Sequence, residues 1–210
     1  MPTIASIAFL GPEGTFAHAA LRTLPVAAGA RLLPMANVTL AIDAVRAGEA
    51  DSAVVPLENS VEGAVPATLD ELAQGEPPLV IAEEVYLPVT FELMGRPGTS
   101  LDAVRTVATH PHAEAQVRRW LMTNLPGVPV ALVGSTAGAA AAVAAGEYDA
   151  AVAAAVAAEL NGLTILAADI ADNADAVTRF VRLPRRSVGC GFLVVRPGRH
   201  VRLFARLCPG

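Results

Sequence analysis

The chain contains no lysine, and all 15 of its basic residues are arginines. Aromatic residues make up only 4% of the sequence, so the core must be built from Ala, Val and Leu. Neither cysteine, Cys190 or Cys208, belongs to a metal or redox motif. No apolar run approaches the roughly 20 residues that span a bilayer, and the first residues lack the basic start of a signal peptide. We therefore expect a cytoplasmic protein with no membrane partner.

Charged residues are scarce, at 17%, and they are unevenly distributed. The net charge of −5 argues against nucleic acid as a partner. No acidic residue follows Asp175, whereas residues 184–210 contain six arginines. This break predicts a catalytic or binding body over residues 1–183 and a separate basic tail over 184–210. Two interpretations of the tail remain open: out-of-frame reading of a GC-rich gene, or a native tail with one strand at 191–196.

Predicted strands alternate with predicted helices along the body. This alternation indicates an α/β protein with mostly parallel sheets. Strand, turn and helix recur on both sides of a Pro-containing crossover at residues 75–80. The pattern predicts two α/β lobes with a cleft between them. We expect the first lobe to comprise residues 1–76 and 168–183, and the second to comprise residues 77–167.

The most informative segment joins a buried strand to a polar cluster. The predicted strand Ala53–Leu57 runs directly into Glu58, Asn59 and Ser60. Such side chains are costly to bury without hydrogen-bond partners, so either the protein or a ligand must satisfy them. Two interpretations remain open, a capping turn before a predicted helix at 65–72 and a ligand site at the carboxyl edge of a sheet.

Hydroxyl and amide groups recur at four strand ends or helix starts. They are Thr15, Asn59 with Ser60, Ser135 with Thr136, and Thr178 with Arg179. Each alone is an ordinary cap or turn, but together they indicate a site for carboxylates. No metal site is predicted, because the two histidines at 110 and 112 have no further ligand nearby. The glycines at 11 and 14 match neither a phosphate loop nor a dinucleotide fingerprint.

Five segments, in this order, resemble motifs of the prephenate dehydratase family, and the resemblance covers roughly residues 4–183. The segments are Gly11–Phe16, Val55–Gly63, Thr109–Pro111 with Gln116, Ser135–Ala137, and Thr178–Phe180. The resemblance implies the type 2 periplasmic-binding-protein fold and the conversion of prephenate to phenylpyruvate in phenylalanine synthesis, without a cofactor. Family members usually continue into a regulatory ACT domain that binds phenylalanine. No ACT motif is legible in residues 184–210, so we expect phenylalanine neither to inhibit nor to stabilise this chain.

The resemblance also implies roles for individual side chains. Thr178 is expected at the leaving hydroxyl as an acid or a hydrogen-bond donor, with the amides of Asn59 and Gln116 as further catalytic groups. Arg179 is expected to bind a carboxylate, and an ion pair with Asp172 or Asp175 is the alternative. Further substrate contacts are expected from Thr15, Glu58, Ser60, Ser135, Thr136 and Phe180. Of these, Glu58 also fits a role in holding its loop, and Phe180 also fits the core.

Other functions remain open on the sequence. Arogenate differs from prephenate at one side-chain group, so an arogenate dehydratase is one alternative. Non-aromatising prephenate decarboxylases look altered at the Glu58–Ser60 and Thr178–Phe180 motifs, which are intact here. A small-carboxylate-binding protein without activity would show the same two-lobed pattern. A homodimer is a further candidate assembly.

Overall fold

The computed structural model describes residues 5–185 and the strand segments 193–195 and 202–204. In chain order the strands are β1 (Ser6–Leu10), β2 (Arg31–Met35), β3 (Ser52–Asn59), β4 (Gly63–Ala64), β5 (Glu83–Pro88), β6 (Glu92–Gly95), β7 (Val107–Thr109), β8 (Val130–Leu132), β9 (Ala150–Ala153), β10 (Thr164–Ala167), β11 (Val177–Pro184), β12 (Leu193–Val195) and β13 (Arg202–Phe204). The α-helices are α1 (Phe16–Arg22), α2 (Val38–Arg46), α3 (Pro66–Gln74), α4 (Pro111–Asn124), α5 (Thr136–Ala144) and α6 (Ala155–Asn161). No helix in these described parts is long and apolar enough to cross a membrane.

The chain divides into two compact units. The first unit contains the chain up to Gly11, Ala20–Leu87 and the segment from Val177 onward. The second unit contains Pro12–Ala19 and Pro88–Ala176. The first unit thus includes β5, and the longer segment of the second unit begins at Pro88, whereas the sequence indicated a crossover at residues 75–80.

The first unit is built on a mixed sheet with the strand order β2-β1-β3-β11-β5, and β4 pairs with β3. β1 runs parallel to β2 and β3, whereas β11 runs antiparallel to β3. Its core packs Ile42 and Val45 of α2 against Val55 of β3 and Leu183 of β11, all of which are fully buried. In the tail, β12 lies within the segment 191–196 and pairs antiparallel with β13.

The second unit contains a sheet with the strand order β10-β6-β9-β7-β8. β7 runs parallel to β8 and β9, and β6 runs antiparallel to β9 and β10. One of its cores consists largely of alanine, with Ala139 and Ala140 of α5 against Ala151 and Ala153 of β9. Small side chains let a helix approach a sheet closely. The three cores of the described residues consist mainly of Ala, Val and Leu, which confirms the prediction from composition.

The α/β class with two sheets is confirmed, but the expectation of mostly parallel sheets is wrong. Each sheet is mixed, because β11 and β6 enter antiparallel beside the third parallel strand of their unit. The strand predicted at 53–57 also extends further, to Asn59, because its end pairs with Thr178 of β11. Thr68 of α3 is fully buried, and its hydroxyl donates to the carbonyl of Pro56 of β3 at 2.6 Å.

The two units share one supersecondary motif. The orders β2-β1-β3 and β8-β7-β9 are equivalent, and α2 and α5, each nine residues long, precede the third strand. Both helices are followed by Ala-Gly-Glu-x-Asp, which ends at Asp51 and at Asp149. Asp51 accepts the backbone N–H of Ser6 at 2.9 Å, and Asp149 accepts that of Thr106 at 3.0 Å. Each aspartate therefore fixes the start of the central strand of the shared motif, β1 in the first unit and β7 in the second.

Candidate functional site

Two motifs that lie far apart in the sequence meet in the first unit at the end of the β3–β11 pair. Asn59 and Thr178 are directly opposed in the antiparallel register. The Asn59 side-chain amide donates to the Thr178 hydroxyl oxygen, with 2.8 Å between Nδ2 and Oγ1. The Asn59 Oδ1 accepts the backbone N–H groups of Val61 at 2.8 Å and Glu62 at 3.1 Å. These two bonds fix the orientation of the amide, so its NH2 group must face Thr178.

The Thr178 hydroxyl keeps its own proton for another partner. Its oxygen already accepts from Asn59, and only 7% of the residue is exposed. Within the described part of the chain, no acceptor is bonded to this hydroxyl. A hydroxyl that accepts from an amide is polarised, because hydrogen bonds in a chain strengthen one another. The Thr178 hydroxyl is therefore available as a hydrogen-bond donor, and its role toward a ligand stays a prediction.

Ser60 joins the two strands rather than capping a helix. Its backbone N–H donates to the carbonyl of Val177, and its Oγ accepts the N–H of Val177, both at 2.9 Å. The next helix, α3, begins after Val65, and its first turn has no side-chain cap. The interpretation of this segment as a helix cap is therefore wrong, because the strand pairing continues through it.

Arg179 is held by acidic side chains of its own sheet. Its Nε donates to Glu84 at 3.1 Å, and its Nη2 forms a short second bond with the same carboxylate. Its Nη1 lies 3.9 Å from Glu58, and its guanidinium lies 5.9 Å from the ring centroid of Tyr86. The hydrogen bonds to Glu84 raise the pKa of Arg179 above its ordinary value. The ion-pair partner is therefore Glu84 on β5, not one of the aspartates at 172 and 175 named as the alternative.

Arg179 and Thr178 contact different groups because neighbouring residues of a strand point to opposite faces of the sheet. A small cavity of about 180 Å³ lies beside Arg179 and is lined by Glu58, Ser60, Tyr86, Val177 and Arg179. Thr178 does not line it. Phe180 is only 3% exposed, which fits a core side chain better than a ring offered to a ligand.

In the second unit, the turn before Thr15 packs against the start of α5. Gly14 has a φ of +89°, a conformation that favours glycine, and a Cβ at this position would lie 3.2 Å from the Cβ of Ala137. Thr15 donates its hydroxyl to the carbonyl of Pro12 at 3.0 Å and accepts the N–H of His18 at 3.4 Å. Thr15 is therefore a capping residue that lies close to the Ser135–Ala137 motif.

Ser135 is the N-cap of α5, as the sequence predicted. Its Oγ accepts the N–H of Gly138 at 2.9 Å, and Thr136 is the first helical residue. The early N–H groups of a helix have no partner within the helix, and the helix dipole makes this end favourable for anions. Gln116 lies separately on α4, and its side chain is partly exposed.

Sequence reasoning missed three residues that support these groups. Glu84 holds Arg179, Asp172 binds the backbone of α4, and the Nδ1 of buried His18 accepts the N–H of Gly14 at 3.1 Å. A short-range signal existed only for His18, which stands four residues after Gly14 in the sequence and lies on α1. Over the described ranges, no group of three or more His, Cys, Asp or Glu residues is arranged to hold a metal ion.

Comparisons with known proteins agree on one family. The family model described as prephenate dehydratase matches residues 7–188. A prephenate dehydratase from Amycolatopsis methanolica is 56% identical over 182 residues, which cover 87% of this chain and 59% of that relative. The chain spans about 60% of the length of the curated relatives it matches.

Similar solved structures include a member of the same family. A prephenate dehydratase from Arthrobacter aurescens, in complex with L-Phe, aligns with a TM-score of 0.80 and 46% identity over 88% of this chain and 61% of that one. A protein described as a novel type of quorum quenching acylase aligns with a TM-score of 0.73 and 37% identity over 89% of this chain and 68% of that one. With the family model covering most of its length and the motifs placed as described, the chain belongs to the prephenate dehydratase family.

Proposed function

We propose that this chain catalyses the decarboxylating dehydration of prephenate to phenylpyruvate. The observation that carries the proposal is the bond from Asn59 to Thr178, which leaves the Thr178 hydroxyl proton available in a nearly buried position. Family membership supports the same reaction. The chain spans only part of the length of its relatives, so the complete reaction is proposed for this chain and is not inferred from family membership alone.

The chemistry requires few groups from the protein. The bond between the ring and its carboxylate breaks, the electron pair moves into the ring, and the C4–O bond breaks. The departing hydroxyl takes up a proton to leave as water, and the carboxylate leaves as CO2. Aromatisation drives these steps, so the protein needs to orient the substrate and to donate to the departing oxygen. We assign this donation to Thr178, with Asn59 fixing and polarising its hydroxyl.

The contacts of Arg179 fit this chemistry because they keep its guanidinium paired within the protein. A free guanidinium bonded to the carboxylate that leaves as CO2 would stabilise the ground state and slow the reaction. The Arg179 guanidinium is already paired with Glu84, so a substrate carboxylate must add beside that pair or displace it. Binding of a substrate carboxylate by Arg179 stays a prediction. We propose that its first role is to hold β5 against β11.

An acyl-transfer reaction is less well supported by the same contacts. A threonine nucleophile needs an adjacent general base to take its proton. In the described structure, the side chain bonded to Thr178 is the amide of Asn59, which donates and cannot act as that base. The geometry therefore favours a donor at Thr178 over a nucleophile.

The test is a product assay with the purified chain. Prephenate should yield phenylpyruvate, which is followed by the absorbance of its enolate, and CO2. Arogenate in a parallel reaction should yield phenylalanine if the chain prefers the amino substrate. Release of CO2 without an aromatic product would indicate a decarboxylase. Saturable binding of prephenate without turnover would overturn the proposal in favour of a binding protein. Light scattering of the same sample tests the predicted homodimer.

A further inference from the structure

The loop residue Asp172 forms three hydrogen bonds with the middle of α4. Its backbone N–H donates to the carbonyl of Gln116 at 2.7 Å. Its carboxylate accepts the backbone N–H of Arg119 at 3.0 Å and of Trp120 at 3.2 Å. Asp172 therefore contacts one turn of the helix through both its main chain and its side chain.

These contacts involve a backbone carbonyl and a backbone N–H that are four residues apart on the helix, the spacing of one helical hydrogen bond. In a regular α-helix, the N–H of residue 120 donates to the carbonyl of residue 116. Here the carbonyl of Gln116 accepts from Asp172, and the N–H of Trp120 donates to the carboxylate of the same residue. Asp172 thus forms hydrogen bonds with both of these backbone groups, in addition to contacting Arg119.

The loop that carries Asp172 is itself anchored on both sides. Ile170 is fully buried and donates its N–H to the carbonyl of Phe91 at 2.9 Å. Ala176 is 1% exposed and accepts the N–H of Val89 at 2.7 Å. All of these residues belong to the second unit. The carboxylate is therefore presented from a fixed backbone and can determine the position of the helix turn that it contacts.

The turn in question carries Gln116. Its neighbours Ala113 and Val117 are buried, whereas Gln116 is partly exposed, and its side-chain amide has no hydrogen bond to the described part of the protein. The amide is thus available to a ligand, while the Gln116 carbonyl is fixed by Asp172. We propose that Asp172 is a positioning residue that orients Gln116 for the reaction, an inference that rests on the proposed function.

The test is a double-mutant cycle on turnover of prephenate. Asp172→Ala should lower kcat by about 10- to 100-fold, the cost of misplacing a contributing group. In the Gln116→Ala background, the same change should have an effect within about twofold, because its target is already absent. Asp172→Asn keeps one acceptor oxygen, so it should recover part of the loss.

The matched control is Asp149→Ala in the same unit. Asp149 also accepts two backbone N–H groups, from Arg105 and Thr106, both at 3.0 Å. It should lower the melting temperature and leave kcat unchanged, which separates a general loss of stability from a loss of positioning. An equal loss from Asp172→Ala with and without Gln116 would overturn the inference alone. Absence of phenylpyruvate with the unmodified chain would instead overturn the proposed function and the inference together.

Discussion

The two units contain the same strand–helix motif but end it differently. In the first unit, β3 continues past the shared motif to Asn59 and pairs along its length with β11. In the second unit, β9 ends at Ala153, and α6 begins two residues later. The polar groups of the first unit therefore stand on paired strands, whereas Thr15 and Ser135 of the second unit stand at helix starts.

This difference shows how one strand–helix motif can position hydrogen-bonding groups in two ways. Side chains on paired strands are fixed by each other, as Asn59 fixes Thr178. Side chains at helix starts are fixed by the backbone, as Gly138 fixes Ser135. Proton donation needs a single well-oriented hydroxyl, and anion binding needs several N–H groups that converge. We therefore expect substitutions in the first unit to affect turnover and those at the helix starts of the second unit to affect binding.

The largest effect is expected from Thr178→Ala. Removal of the donor should lower kcat by roughly 10²- to 10⁴-fold, the range for lost acid–base groups. Thr178→Ser should keep most of the activity, because it retains the hydroxyl. The matched control is Thr68→Val, which removes another buried hydroxyl of the first unit and should reduce stability alone. If Thr178→Ala turned over prephenate almost as fast as the unmodified chain, Thr178 would not be the donor to the departing hydroxyl.

A smaller loss is expected from Asn59→Asp. Aspartate keeps an acceptor for the N–H groups of Val61 and Glu62, so the turn should survive. It cannot donate to Thr178, so kcat should fall by roughly 10²-fold, as for the loss of one oriented donor. If turnover fell only in proportion to the melting temperature, Asn59 would be a structural residue. Steady-state kinetics and thermal unfolding of the same samples provide both measurements.

One aspartate in each unit should contribute to the stability of the protein against acid. Backbone N–H groups lower the pKa of both aspartates, from Ser6 at Asp51 and from Arg105 at Asp149. An aspartate whose pKa is lower in the folded state stabilises the protein at pH values above 3.8, its ordinary pKa. This contribution is lost as the pH falls through the lower pKa of the folded state. Asp51→Asn and Asp149→Asn should each reduce the pH dependence of the unfolding free energy in urea. A variant with unchanged pH dependence would contradict the equivalence of the two motifs.

The smallest expected effect is that of phenylalanine on this 210-residue chain. Added L-Phe should shift neither the melting temperature nor kcat, because residues 184–210 show no ACT motif. The solved relative in complex with L-Phe makes the comparison informative. A shift that saturates with L-Phe concentration would show a binding site in one of the two units or in the tail.

Much of the fold was predictable because its signals are local. The alternation of predicted strands and helices indicated the α/β class, and Ser135 with Thr136 was recognisable as a strand end or helix start. The motif residues were also identifiable, since their order along the chain is a property of the sequence. The third parallel strand was predicted in place, but not its extension to Asn59, because polar residues lower the strand signal and only pairing with β11 stabilises them.

The partners of the site residues could not be predicted. The bond between Asn59 and Thr178 joins residues 119 apart and exists because antiparallel register places them opposite each other. The choice of Glu84 for Arg179 likewise depends on the packing of β5 into the first sheet. The sequence by itself determined most of the secondary structure, the composition of the core and the chemical groups that are available. Only the tertiary structure decided which groups meet, because strand register and long-range packing are set by the whole chain at once.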